Sequence, residues 1–201
     1  AVSNTGVTKV YDGTTDAPAG FTPTYSFTGF ISNDTTAVLG HGDHVYDSTH
    51  VGPTNAATKV TVSGLSITSI TGSNTSAATD YSLSAASKDV AAVITAASLT
   101  PTVTNSSVTK VYDGTNAAPT GESFTPTYSF TGLVSGDTAA VLNHTAHVYD
   151  SIHVGPTSAA TKVTVSGLSL ASITGSKSSA ITDYSLSGSS KDVAAVITAK
   201  E

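Results

Sequence analysis

The sequence predicts an all-β protein made of two tandem antiparallel β-sandwich repeats of immunoglobulin-like type, with a helix-containing β-grasp-like arrangement as the alternative. Three observations lead there. Residues 7–96 recur at 108–199. Short apolar/polar alternations recur through both copies. No window carries the i, i+3, i+4, i+7 apolar stripe of an amphipathic helix.

The duplication is close to literal. Val-Thr-Lys-Val-Tyr-Asp-Gly-Thr stands at 7–14 and 108–115, and Phe-Thr-Pro-Thr-Tyr-Ser-Phe-Thr-Gly at 21–29 and 124–132. The offset is 101 as far as Gly20 and Gly121, and 103 after them, because Glu122 and Ser123 are inserted. A period near 100 residues is the size of a whole domain rather than of a solenoid unit. The expected domains are 1–97 and 98–201. The chain starts within one repeat and stops at Ala-Lys-Glu, where a further unit would begin, so it reads as a piece of a longer array.

Each strand follows from period-two alternation. Tyr25 and Phe27 alternate with Thr24, Ser26 and Thr28; Val60 and Val62 with Lys59, Thr61 and Ser63; Tyr81 and Leu83 with Asp80, Ser82 and Ser84. Residues 88–95 are more continuously apolar. Runs at Thr8–Tyr11, Ala37–Leu39, His44–Tyr46 and Leu65–Ile70 complete seven or eight strands per copy. Turn signals separate them: Asp-Gly at 12–13, Ser-Asn-Asp at 32–34, Gly-Pro at 52–53 and Thr-Gly-Ser at 71–73. The expected core of copy one is Tyr25, Phe27, Val60, Val62, Leu65, Ile67, Leu83, Val90 and Ile94. Its counterpart is Tyr128, Phe130, Val163, Val165, Leu168, Leu170, Leu186, Val193 and Ile197. The join at 95–104 is short, free of glycine, and carries Pro101, which restricts Thr100 to extended backbone. It predicts end-to-end repeats with a limited hinge.

Composition narrows function. The net charge is −6 and 11% of residues are charged, so no basic patch is available to hold phosphates and no nucleic-acid partner is expected. No apolar run is long enough to span a membrane as a helix. There is no cysteine, hence no disulfide framework.

Tyr11, Asp12 and Gly13, with Tyr112, Asp113 and Gly114, form the repeated motif. Asp-Gly is a turn pair, and the tyrosine is expected to pack with its hydroxyl bonded. The competing reading is calcium held by Asp12 with Asp47, Asp80 or Asp89. Calcium takes 6–8 oxygens, usually from clustered carboxylates, and these aspartates are scattered, so no cofactor is expected. His41, His44 and His50 recur as His144, His147 and His153. Residues six apart on one strand are about 20 Å apart, so a solvated polar face is expected rather than a metal site. His-Val-Tyr-Asp-Ser at 44–48 holds the triad residue types on a single strand, where they cannot converge; no enzyme activity is expected. An intramolecular Lys–Asn or Lys–Asp crosslink would draw on Lys9, Lys59 or Lys88, and Asn4/Asn105 is the one asparagine position kept in both copies.

Five blocks in order carry a family resemblance. They are Lys-Val-Tyr-Asp-Gly-Thr (9–14, 110–115), Ser-Gly-Asp (135–137, Ser-Asn-Asp at 32–34), the stretch 51–66 ending Lys-Val-Thr-Val-Ser-Gly-Leu-Ser, Asp-Tyr-Ser-Leu (80–83, 183–186) and Val-Ile-Thr-Ala (93–96, 196–199). Together they resemble the YDG repeat domains, akin to the MBG repeats, of large filamentous-haemagglutinin-like bacterial adhesins. The histidine segment is a departure from that pattern. The resemblance implies a secreted, cell-surface stalk repeat in a cell-adhesion or biofilm protein, monomeric as a fragment and partnered by neighbouring repeats of its array. Host or biofilm-matrix ligands would be engaged by other domains, and no catalytic residues carry over. The alternative is that each repeat is itself an adhesive module for glycan, matrix or self-association.

Overall fold

A computed structural model of the chain describes residues 1–119 and 124–201; the Glu122–Ser123 insertion lies outside the described residues. The chain is all-β and divides into two compact units, Ala1–Ala96 and Ala97–Glu201. The first contains β1 (Val7–Val10), β2 (Asp34–Gly40), β3 (His44–Tyr46), β4 (Lys59–Val62), β5 (Ser66–Gly72) and β6 (Lys88–Thr95). The second contains β7 (Ala97–Val103), β8 (Val108–Val111), β9 (Tyr128–Thr131), β10 (Asp137–Asn143), β11 (Ala146–Tyr149), β12 (Lys162–Ser166), β13 (Ser169–Gly175), β14 (Tyr184–Leu186) and β15 (Ser190–Thr198). One-turn 3-10 helices at Ala78–Asp80 and Ile181–Asp183 are the helical elements among the described residues.

Each unit is built on a four-stranded sheet, β1-β6-β4-β3 in the first and β8-β15-β12-β11 in the second. A separate antiparallel pair stands beside it, β2-β5 and β10-β13 respectively. In the second unit β14-β7-β9 forms a third sheet. The expectation of purely antiparallel pairing is corrected at three places. β1 runs parallel to β6, β8 parallel to β15, and β14 parallel to β7. Alternation tells which face a residue occupies, and that is the same for either direction of a neighbouring strand.

The core lies on the inward face of the four-stranded sheet. In β6, Val90, Ala92 and Ile94 are buried while Asp89, Ala91, Val93 and Thr95 point outward. Val60 and Val62 of β4, and Val163 and Val165 of β12, are wholly buried. In the second unit one cluster joins Val108, Leu142, Tyr149, Val163, Val165, Leu168, Val193 and Ile197, with Val103, Tyr128, Phe130, Leu170 and Leu186 packed partly buried against it. Of the expected core, Tyr25, Phe27, Ile67 and Leu83 are likewise only half-buried. Alternation missed Val7, Tyr46 and Ala57, which are buried, because their runs are too short to display a face.

Val62→Ala and Val165→Ala each remove two methyl groups from a fully buried site. Each should cost its unit about 1–3 kcal/mol. In chemical denaturation the altered unit should unfold earlier while its unaltered neighbour serves as an internal reference. An unchanged midpoint would place these side chains elsewhere.

Candidate functional site

The repeated Lys-Val-Tyr-Asp-Gly-Thr block builds one arrangement twice, and its centre is the lysine. In β1, Val7 and Lys9 face inward while Thr8 and Val10 face out. The Lys9 side chain is 7% exposed. Its aliphatic stem follows the core and its ammonium must be satisfied there, since an unpaired buried charge is very costly. The turn that follows β1 supplies the partners. Lys9 Nζ donates to Asp12 Oδ1 at 2.8 Å, to the Thr14 carbonyl at 2.8 Å and hydroxyl at 3.1 Å, and to the Asp16 carbonyl at 2.9 Å. It also sits 5.3 Å from the centre of the Tyr46 ring, a cation–π distance.

The second copy repeats this closely. Lys110 Nζ reaches Asp113 Oδ1 at 2.8 Å, the Thr115 carbonyl at 2.7 Å and hydroxyl at 3.2 Å, and the Ala117 carbonyl at 3.0 Å. Its ring partner is Tyr149, at 5.3 Å. The carbonyls point inward because the aspartate first folds the loop. Asp12 Oδ1 accepts the Thr14 N–H and hydroxyl, both at 2.9 Å, and Asp113 does the same for Thr115. The residue between them, Gly13 (φ 71°) or Gly114 (φ 80°), takes a backbone conformation that side chains resist. The hydrogen bond from Lys110, then those from Thr115, hold the Asp113 carboxyl down at about 2. For Asp12, burial pulls upward, but the bonds from Lys9 and Thr14 outweigh it and the carboxyl lies below its ordinary value. The motif tyrosines differ: Tyr11 is 2% exposed and Tyr112 38%.

A second link joins two blocks far apart in sequence. Asp34 of Ser-Asn-Asp accepts the Tyr81 hydroxyl at 2.7 Å and Ser76 Oγ at 2.8 Å, and the same tyrosine oxygen accepts the Ile31 N–H at 3.1 Å. The Tyr81 hydroxyl is the main cause of the lowered Asp34 pKa. In the second unit Asp137 takes Tyr184 and Ser179, both at 2.6 Å. The Asp of the mid-domain turn and the Tyr of Asp-Tyr-Ser-Leu are thus one clasp.

The remaining candidate residues do not converge. Asp47 binds the Thr58 N–H and hydroxyl; Asp89 binds Lys59 at 2.7 Å and Thr61 at 2.7 Å; Asp80 accepts the Ala77 N–H. None of them shares a site with Asp12. His41 and His44 do meet, Nδ1 to Nε2 at 2.9 Å, and His144 stacks on His147 with ring centres 4.4 Å apart. Burial, and then the neighbouring histidine's charge, lower the pKa of His44 and of His147. His50 and His153 lie apart, bridged to Ala56 and Ala159. Among the described residues no three His, Asp or Glu side chains gather as a metal site would require. Asn4 and Asn105 tie down the 22–24 and 125–127 segments rather than facing a lysine.

The lysine and its ring partner are a contact between segments far apart in sequence, which residue types alone do not reveal. Parity contained the signal: Lys9 stands two residues after inward Val7, three before the turn aspartate.

Lys110→Met keeps the stem and strands the Thr115 and Ala117 carbonyls. It should destabilise the second unit by about 1–3 kcal/mol, measured by denaturant unfolding against the intact first unit. Asp113 has a folded-state pKa of about 2, below the unfolded value near 3.9. Its contribution is therefore full above about pH 4 and lost as pH falls towards 2. The stability gap between the native chain and Asp113→Asn should close over that window; a gap constant from pH 5 to 2 would contradict the ion pair.

The family model described as YDG domain matches residues 1–89 and 95–192. No curated protein and no solved structure matches. Both matched segments contain the caged lysine, its Tyr-Asp-Gly turn and the Asp–Tyr clasp, and the chain belongs to the YDG domain family.

Proposed function

We propose that the two units are structural stalk repeats of a secreted bacterial cell-surface adhesin, acting as spacers that project a distal binding domain. The observation that carries this reading is how each unit ties the first strand of its four-stranded sheet to its last strand. Val7–Val10 pairs in parallel with Ala92–Thr95, and Val108–Val111 with Ala195–Thr198. Tension carried along the backbone to such a pair enters at the start of one strand and leaves at the end of the other. With the strands parallel, those points lie at opposite ends of the pairing, so all its backbone hydrogen bonds are loaded in shear at once. Side-chain bonds from Thr95 to the Lys9 carbonyl and from Thr198 to the Lys110 carbonyl reinforce the pair. The lysine cage holds the far end of the first strand to the loop beyond it. The motif residues are thereby spent on holding the unit together, which suits a load-bearing repeat.

Single-molecule pulling tests this. Stretched from its two termini, the chain should give two unfolding events of similar, high force. With handles at positions 15 and 96 the same β1–β6 pair is loaded from neighbouring ends and should peel open at clearly lower force. Equal forces in the two geometries, or gradual extension without discrete events, would count against a load-bearing stalk.

A further inference from the structure

Each unit carries two histidines at the corner where the chain passes from its two-stranded pair to its four-stranded sheet. In the first unit β2 ends at Gly40 and β3 begins at His44, and His41 and His44 span the turn between them. Their ring centres lie 4.5 Å apart, and His44 Nε2 meets His41 Nδ1 at 2.9 Å. Backbone bonds close the same corner: the Gly42 N–H donates to the Ser63 carbonyl at 2.8 Å and the Ser63 N–H to the Asp43 carbonyl at 3.0 Å. Phe21 stands edge-on to His44 with ring centres 5.3 Å apart. In the second unit His144 and His147 stack at 4.4 Å, and Phe124 stands edge-on to His147 at 5.1 Å. The equivalent nitrogens there, His144 Nδ1 and His147 Nε2, are buried and have no hydrogen-bond partner among the described residues.

A nitrogen-to-nitrogen contact of this kind holds one hydrogen, donated by one ring and received on the lone pair of the other. When both rings are cationic every ring nitrogen carries a hydrogen, so two N–H groups would meet head to head with two like charges in contact. His41 Nδ1 has a second acceptor in reach, the Gly42 carbonyl at 3.2 Å, once it leaves His44. The charged neighbours are few. Asp43 lies within the turn, and Asp16 lies on the segment that bonds β3 through the Ala17 N–H and the His44 carbonyl; both line one hollow with His44 and Phe21. Lys88 stands in the same row as His44, two strands away beyond Val62. In the second unit Ala117 and Ala146 replace Asp16 and Asp43, and Lys191 stands beyond Val165; Glu122 lies outside the described residues.

We propose that each histidine pair is an acid-sensitive latch, closing the corner between the two sheets of its unit while the rings share one hydrogen and opening it when both rings are protonated. Opening parts the rings, frees the turn at 41–43 or 144–146 and loosens the two-stranded pair from the four-stranded sheet. Burial, then the charge of His41, lower the His44 pKa against the upward pull of Asp43; burial, then His144, lower that of His147. The folded rings therefore accept protons less readily than unfolded ones, whose value is about 6.5. The latch contributes fully above about pH 6.5 and weakens as pH falls below it. The carboxyls of Asp12, Asp34 and Asp113 lie below their ordinary 3.8, so cage and clasp stay ionised while the latch opens. This device lies within each unit and is independent of the stalk reading.

The full chain is titrated from pH 8 to 5, with histidine ring shifts and amide exchange followed by NMR. His41 and His44 should titrate as a coupled pair, each ring sensing both steps. Protection factors at Gly42 and Ser63, and at Thr145, which donates to the Ser166 carbonyl, should fall at least fivefold between pH 7 and 5. Those of Ala92 and Ala195, bonded to the Thr58 and Thr161 carbonyls, should hold. In His41→Gln the new amide can still meet His44 but cannot titrate, so the Gly42 response should vanish while that of Thr145 remains. Asp43→Ala, which removes a carboxylate beside the pair, should lower the pH of opening in the first unit by roughly half a pH unit. Protection unchanged down to pH 5, rings that titrate independently, a Gly42 response that survives His41→Gln, or an opening pH unmoved by Asp43→Ala would overturn the latch.

Discussion

An ammonium group placed below the surface of a thin β-unit has to be satisfied, and the fold around it is arranged to do so. Lys9 and Lys110 sit on the inward face of the first strand of each four-stranded sheet. Three donors per ammonium need acceptors from one small region. The acceptors come from a tight loop whose shape is set by the aspartate and the glycine next to it. The ring of Tyr46 or Tyr149, from the opposite edge strand of the sheet, closes the remaining side. One interaction therefore joins the first strand, the loop after it and the far edge of the sheet.

The same logic explains why so polar a chain folds. Its hydrophobic content is 38%, and the buried apolar side chains are mostly valine and alanine. Thin cores gain little from burial alone. Here side-chain hydrogen bonds link segments that the core does not hold: the Asp–Tyr clasp, Asp47 and Asp150 capping the start of β4 and β12, and Asn4 and Asn105 on the loops before Tyr25 and Tyr128. All occur in both units with nearly the same geometry.

Much of this was legible in the sequence. His44–Tyr46 and the more continuously apolar Lys88–Thr95 are strands with the bounds read from the sequence, and the valines at 60, 62, 163 and 165 are buried. Strand direction was not legible, because parallel and antiparallel neighbours impose the same period. Tyr81–Leu83 alternates as well as Tyr184–Leu186, yet only the latter is a strand: what distinguishes them is the presence of β7 alongside, a property of the partner and not of the segment. The Asp-Gly turn was readable from its residue types, but its occupant was not, since nothing in the residue types of the turn says which side chain it encloses. The contact of His41 with His44 was not legible either, because it depends on the path of the loop between β2 and β3.

The central claim is that the caged lysine makes the Tyr-Asp-Gly loop part of the cooperative unit. Native-state hydrogen exchange reads this directly at the amides of Tyr11 and Tyr46, which donate to Thr95 and to Thr15 on either side of the loop. Both should exchange only through global opening of the first unit, with the protection of the core valines, and both should lose that protection in Lys9→Met. Fast exchange of Tyr46 in the native chain, at the rate of a free loop, would contradict the account.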